Sequence, residues 1–75
     1  MSKIADAIIH NCRADWQKVA KVVWHAHLEL KLPDDDAGYD MVAKALAELV
    51  YARELEAQGD VTNWRHSEVR LLTGK

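Results

Sequence analysis

The chain has 75 residues, of which 49% are hydrophobic and 29% charged, with one Pro and three Gly. A chain of this length forms a single domain around one small core, which excludes a second core and leaves little volume for a large enzyme pocket. Its formal net charge of -2 provides no overall basic field to attract nucleic acid or an anionic membrane.

The cysteine content and the hydropathy of the chain predict its cellular compartment. The single cysteine, Cys12, cannot form an intramolecular disulfide, and the first residues lack the basic, apolar and small-residue pattern of a secretory leader. No apolar run approaches the roughly 20 residues needed to cross a bilayer. We therefore expect a cytoplasmic protein with no membrane partner.

Two amphipathic helices are predicted in the first half of the chain. The first runs from about Ser2 to Asn11, with its apolar residues on one helical stripe. Asp15 has the chemistry of an N-cap, so we expect the second helix to begin at Trp16 and to end at about Leu30. Apolar residues surround much of this second helix, which predicts that most of it is covered.

A third helix is predicted after an acidic loop. Pro33 ends the second helix because it disfavours helical geometry at the preceding residue and has no backbone N–H. The three aspartates 34–36 can cap the next helix, which we expect from about Tyr39 to Arg53. Its predicted solvent face is mixed in charge and contains Asp40, Lys44 and Glu48.

The hydrophobic period changes from 3.6 to 2 after the third helix. Alternation over Leu55–Gln58 and again over Trp64–Leu72 predicts two strands. The intervening segment Gly59–Asn63 is rich in turn residues, so the strands are expected to form an antiparallel hairpin. The predicted fold class is mainly α with a small C-terminal β-hairpin.

Three helices followed by a hairpin resemble a winged helix-turn-helix domain covering residues 1–75. The segment Leu46-x-x-Leu49-Val50, followed by Leu55-Glu56-x-x-Gly59-Asp60, carries this resemblance. The segment from Gly59 to Leu71, with the pattern GDxxxWRxSEVRL, resembles the C-terminal signature of an uncharacterised bacterial domain family found alone or at the end of longer proteins. That family has no established activity, so this second resemblance implies no catalytic or binding residue.

Candidate catalytic and metal-binding residues lack the spacing that such chemistry needs. His25 and His27 would point about 200° apart on a helix, so they cannot ligate one ion, and a site shared by Cys12 and His27 has no sequence signature. Cys12 lies on an apolar stripe, where a buried core residue is more common than a nucleophile. The acidic loop lacks calcium-loop spacing, and the glycines form no phosphate loop. We expect no enzyme activity, no cofactor and no metal.

The second predicted strand offers a candidate partner-binding face. Strict alternation would place four side chains on one face: Trp64, His66, Glu68 and Arg70. Trp and Arg are the residues that most often dominate interface energetics, which favours a contact surface. The alternative is that Trp64 packs over the first or second helix while Glu68 and Arg70 pair with charges such as Arg53 or Glu54.

Trp24 is the second candidate contact. Trp16 and Trp24 differ by about 80° around the predicted second helix, so both cannot point into one narrow core stripe. We assign Trp16 to the core and Trp24 to an exposed flank beside Leu28, where it would suit a partner or a second copy of the chain.

These observations favour a small non-enzymatic protein-interaction or homodimerising module. The alternative is a DNA-binding transcriptional regulator of the winged-helix type, which needs Arg, Lys, Asn or Gln on the exposed face of the third helix. That face is predicted to be acidic and mixed, and so nucleic acid is the less favoured partner.

Overall fold

In the computed structural model, which describes residues 3–72, three helices pack around a core that a small antiparallel sheet closes on one side. The elements in chain order are α1 (Lys3–Asn11), β1 (Gln17–Lys18), α2 (Val19–Leu30), α3 (Asp36–Tyr51), β2 (Leu55–Gln58) and β3 (Glu68–Leu71). A single 3-10 turn, Trp64–His66, precedes β3. The strand order in the sheet is β1-β3-β2.

The prediction of a mainly helical chain with a C-terminal hairpin is confirmed. Strands β2 and β3 pair antiparallel, with Leu55 opposite Leu71 and Ala57 opposite Val69. The apolar side chains of the hairpin lie against the helices, as an isolated two-stranded sheet requires. The predicted start of the first helix at Ser2 lies outside the described residues.

The predicted start of the second helix at Trp16 is wrong. Gln17 and Lys18 instead form β1, which pairs antiparallel with β3, and α2 begins at Val19. The backbone N–H of Val19 donates to the carbonyl of Ser67 at 3.1 Å, so the neighbouring strand satisfies a free donor of the helix. Asp15 therefore makes no N-cap, and the sheet has a third strand that the sequence did not predict.

Helix α3 begins earlier and ends earlier than predicted. Its first residue is Asp36 rather than Tyr39, and its last is Tyr51 rather than Arg53. The Asp35 carboxylate accepts a hydrogen bond from the backbone N–H of Gly38 at 2.8 Å, which confirms that the acidic loop caps this helix.

The core collects small and branched apolar side chains from all three helices and from the sheet. Its fully covered members include Ile8 of α1, Val23 of α2, Leu46 of α3 and Val69 of β3. Leu55 of β2 closes the sheet side, and the lone cysteine is also buried. Because the three helices pack on one face of the sheet, the other face of the sheet and the outer faces of α2 and α3 remain open to solvent.

Candidate interaction surface

The predicted face of Trp64, His66, Glu68 and Arg70 does not form, because the strand begins at Glu68 rather than at Trp64. Trp64 and His66 belong to the 3-10 turn, in which side chains do not alternate between two faces. The backbone N–H of His66 donates to the carbonyl of Asn63, and the Ser67 hydroxyl donates to that same carbonyl at 2.7 Å. These bonds fold the chain into a turn where alternation predicted a strand.

Trp64 packs inside the molecule. Its ring centre lies 6.4 Å from that of Tyr39, and it is partly buried against the core. Ala43 and Ala47 of α3 line the same pocket as Trp64. The tryptophan therefore lies beside α3, and its turn also contacts α2, one of the two helices named in the alternative. Arg65 and His66, which follow it in the turn, are exposed.

Arg70 is engaged by two side chains on the outer face of the sheet. Its guanidinium donates to both carboxylate oxygens of Glu56, at 3.0 and 3.1 Å. The same guanidinium lies 4.4 Å from the centre of the Trp16 ring, in a cation–π contact. Trp16 therefore covers the outer face of the sheet instead of entering the core, contrary to its predicted place.

Glu68 also has a partner within the sheet. Its carboxylate accepts from the side-chain amide of Gln58 at 2.6 Å, across the β2–β3 pair. The outer face of the sheet is thus internally paired, which removes much of the reason to expect a partner there.

Trp24 and His66 are the two predicted contact residues that the structure leaves exposed, and only Trp24 has an exposed apolar neighbour on its own helix. Trp24 is 51% exposed and Leu28, one helical turn later, is 53% exposed. The ring of His25 meets the Trp24 indole edge to face, with 5.3 Å between ring centres. We call this face of α2, which consists of Lys21, Trp24, His25 and Leu28, the α2 surface.

A groove lies beside Trp24 and Leu28, between α2 and the start of α3. Leu32 and Tyr39 line it together with the polar residues Lys31 and Asp34, and its volume is about 340 Å³. The Tyr39 hydroxyl donates to the Asp34 carboxylate at 2.9 Å. This hydrogen bond and the charge of the Asp34 carboxylate raise the pKa of Tyr39.

His27 supports the floor of this groove. Its ring is buried and stacks on Tyr39, with 4.2 Å between ring centres. Its Nε2 donates to the carbonyl of Pro33 at 2.7 Å, and its Nδ1 has no hydrogen-bond partner among residues 3–72. The imidazole thus connects α2 to the loop that follows it.

A cationic cavity lies at the other end of α2. It measures about 330 Å³, and its charged lining residues are Arg13 and Lys21, with His10 and His25 beside them. Neither Arg13 nor Lys21 forms an ion pair within the described chain. Glu29, near the C-terminal end of α2, accepts from Nδ1 of His10 at 2.9 Å and from the Asn11 amide at 3.2 Å.

Two exposed apolar side chains on α3 were missed by sequence reasoning. Met41 is 48% exposed and Tyr51 is 78% exposed. They are ten residues apart on the helix, with Lys44 and Glu48 between them, so they form no continuous patch. The available sequence signal was their spacing from exposed polar residues, since Met41 is three residues before Lys44 and Tyr51 is three residues after Glu48.

Cys12 lines the cationic cavity together with His10 and His25. Burial raises the pKa of the Cys12 thiol to about 11, which keeps it protonated and unreactive near neutral pH. No group of three or more His, Cys, Asp or Glu side chains within residues 3–72 is placed to hold a metal ion.

Comparison with protein-family models, with curated proteins and with solved structures finds no match to this chain. Across residues 3–72, no helix has both the length and the apolar character needed to span a membrane.

Proposed function

We propose that this chain is a small non-enzymatic protein-interaction module on a winged-helix-like scaffold, and that it binds its partner through the α2 surface. The order of three helices with a hairpin directly after α3, and a short strand before α2 that joins the same sheet, supports the winged-helix likeness. A cytoplasmic location belongs to the proposal and is consistent with the single free, buried thiol.

The observation that carries the proposal is the exposure of Trp24 and Leu28 side by side on one helix. A Trp side chain buries roughly 150–250 Å² when it is covered. At about 25 cal/mol per Å², covering the exposed half of Trp24 gives about 2–3 kcal/mol, which is the scale of an interface anchor. The groove lined by Leu32 and Tyr39 beside it gives a partner side chain a place to insert.

DNA binding is the alternative, and the charges of α3 oppose it. In a winged helix the exposed face of the third helix enters the major groove. Here that face carries Asp36, Asp40 and Glu48 against Lys44. In the β2–β3 loop, the Asp60 carboxylate accepts two hydrogen bonds from Thr62, which lower its pKa and keep it ionised. Phosphates would meet net negative charge at α3, and in the loop Asp60 offsets the single nearby cation, Arg65.

We therefore expect the chain to bind duplex DNA no more tightly than about 10⁻⁴ M at physiological salt. Fluorescence anisotropy with a labelled duplex measures this affinity. Micromolar affinity that falls steeply with added salt would make DNA the partner instead.

Site-specific photo-crosslinking in the cells from which the chain comes tests the proposed surface. A photoreactive residue replaces Leu28 on the α2 surface in one variant and Lys44 on α3 in the matched control. Both side chains are exposed on helices, so the two variants should fold equally well. We expect a discrete adduct with one protein from position 28 and none from position 44. Adducts from position 44 alone, or from neither position, would contradict the proposal.

A further inference from the structure

We propose that the partner on the α2 surface is a second copy of this chain, which packs its own α2 antiparallel to the first across a two-fold axis at His25. This inference rests on the proposed function above and specifies its partner. It is carried by the arrangement of charges and apolar side chains about His25, which is self-complementary.

The charges on α2 are symmetric about His25 but opposite in sign. Lys21 and Glu29 are each four residues from His25, on opposite sides of it, and both are exposed. They are about 12 Å apart along the helix axis. In an antiparallel pair centred on His25, Lys21 of each copy lies opposite Glu29 of the other. The two-fold axis therefore generates two attractive ion pairs, whereas a parallel pair would bring like charges together.

The surroundings of α2 place these charges on the same side of the helix. Glu29 faces α1, because it holds His10 and Asn11. The cationic cavity with Arg13 and Lys21 also lies against the end of α1. A two-fold axis that lies in the interface, perpendicular to α2, makes the two α2 helices antiparallel. It leaves both α1 helices on the same side of this helix pair. The Arg13 and Lys21 end of one copy then faces the Glu29 end of the other.

The apolar side chains fit the same arrangement. Trp24 is one residue from the axis, so each indole would pack between Trp24 and Leu28 of the second copy. Trp24 and Leu28 would then be covered in both copies at once, although each is half exposed in the single chain. Lys31 lines the groove on the α3 side and is therefore laterally offset from Lys21 of the second copy. One helix pair with its flanks falls near the low end of stable interface sizes, so we expect a dissociation constant in the micromolar range.

Sedimentation equilibrium of the full chain and of four variants tests the arrangement. In Lys21→Glu or Glu29→Lys, both contacts would join like charges, so we expect dimerisation to weaken at least tenfold. The double variant Lys21→Glu with Glu29→Lys exchanges the two signs, and we expect it to recover most of the parent affinity. Lys44→Glu on α3 is the control for net charge and should leave the affinity unchanged. Circular dichroism of each variant shows whether the fold persists.

Rescue by the double variant separates a contact between copies from a loss of folding. A parent that stays monomeric to about millimolar concentration would overturn the second copy as partner. The proposed function would then stand only if position 28 still gives an adduct with a different protein. A parent that dimerises, while the double variant is as weak as the single ones, would overturn the antiparallel arrangement at His25.

Discussion

Arg70 illustrates how a residue with the chemistry of an interface anchor can be used within its own chain. Its guanidinium makes a two-point contact with Glu56 and lies over Trp16. The planar guanidinium suits both contacts, because it donates in its plane and stacks through its face. The sequence shows the Arg, the Glu and the Trp, but their meeting depends on the pairing of three strands. A partner would have to displace both neighbours to reach Arg70.

Cys12 gives a pH prediction at the same scale. Burial raises its pKa from 9.0 to about 11, so in the unfolded chain the thiol ionises at lower pH than in the folded chain. Stability is therefore unaffected by this group below about pH 9 and decreases as the pH rises from about 9 to about 11.

Chemical unfolding of the parent and of Cys12→Ala at about pH 8 and about pH 10.5 measures this effect. Tyr39, whose pKa is also raised, titrates in both proteins and cancels in the comparison. We expect the parent to lose more free energy of unfolding between the two pH values than the variant. Equal losses would show that the thiol is not buried.

At the scale of elements, two helices end in the same way, with a residue other than glycine in the left-handed region. Lys31 follows α2 with φ 55°, and Arg53 follows α3 with φ 61°. After α3, the N–H of Glu54 donates to the carbonyl of Leu49, and that of Arg53 to Val50, which is the Schellman pattern. Glycine is the usual residue at this position because a Cβ is strained there.

Substitution of Arg53 tests this helix end. Arg53→Gly should raise the free energy of unfolding by about 0.5–1 kcal/mol, because it relieves the left-handed strain. Arg53→Val should lower it by about 1–2 kcal/mol, since a β-branched side chain tolerates that conformation least. Denaturant unfolding measures both, and a Gly variant less stable than the Val variant would contradict the assignment.

The elements also show where sequence patterns predict structure and where they do not. Periodicity over nine or more residues predicted all three helices, and alternation predicted β2 and β3, with the start of β3 placed too early at Trp64. Strand β1 has only two residues, Gln17 and Lys18, so it is too short to show an alternation of apolar and polar residues. Trp64–His66 continues the alternation of β3 but forms a turn, because Asn63 accepts hydrogen bonds from both His66 and Ser67. Pairing with a distant strand decided the first case, and local hydrogen bonds to Asn63 decided the second.

At the scale of the whole molecule, charge and exposure are distributed unevenly over the three outer faces. The sheet face is internally paired, the α3 face carries mixed charge, and the α2 surface is apolar at its centre. The exposed flank of Trp24 could be predicted, since two tryptophans 80° apart cannot share one narrow stripe. The groove with Tyr39 and the cationic cavity could not, because each is assembled from separate elements.

The small core limits how much destabilisation the whole fold can withstand. Leu46 and Val69 are fully buried on opposite sides of a core that supplies only about 3–5 kcal/mol. Leu46→Asp and Val69→Asp each place an unpaired charge there, so we expect both variants to be unfolded at room temperature. Lys44→Asp on the exposed face of α3 is the control. Thermal melts followed by circular dichroism measure the stability of these variants. A melting temperature of either Asp variant within a few degrees of the parent would contradict the core assignment.

The proposed recognition requires that Trp24, rather than Trp16 or Trp64, contacts the partner. The indole N–H resonances of the three tryptophans, measured by NMR with a dissolved paramagnetic relaxation agent, report which ring is open to solvent. In the free chain we expect the largest relaxation enhancement at Trp24, and in the associated state a loss of that enhancement at Trp24 alone. Enhancement that is largest at Trp64 or Trp16, or that association removes from those rings instead, would contradict the assignment of the α2 surface.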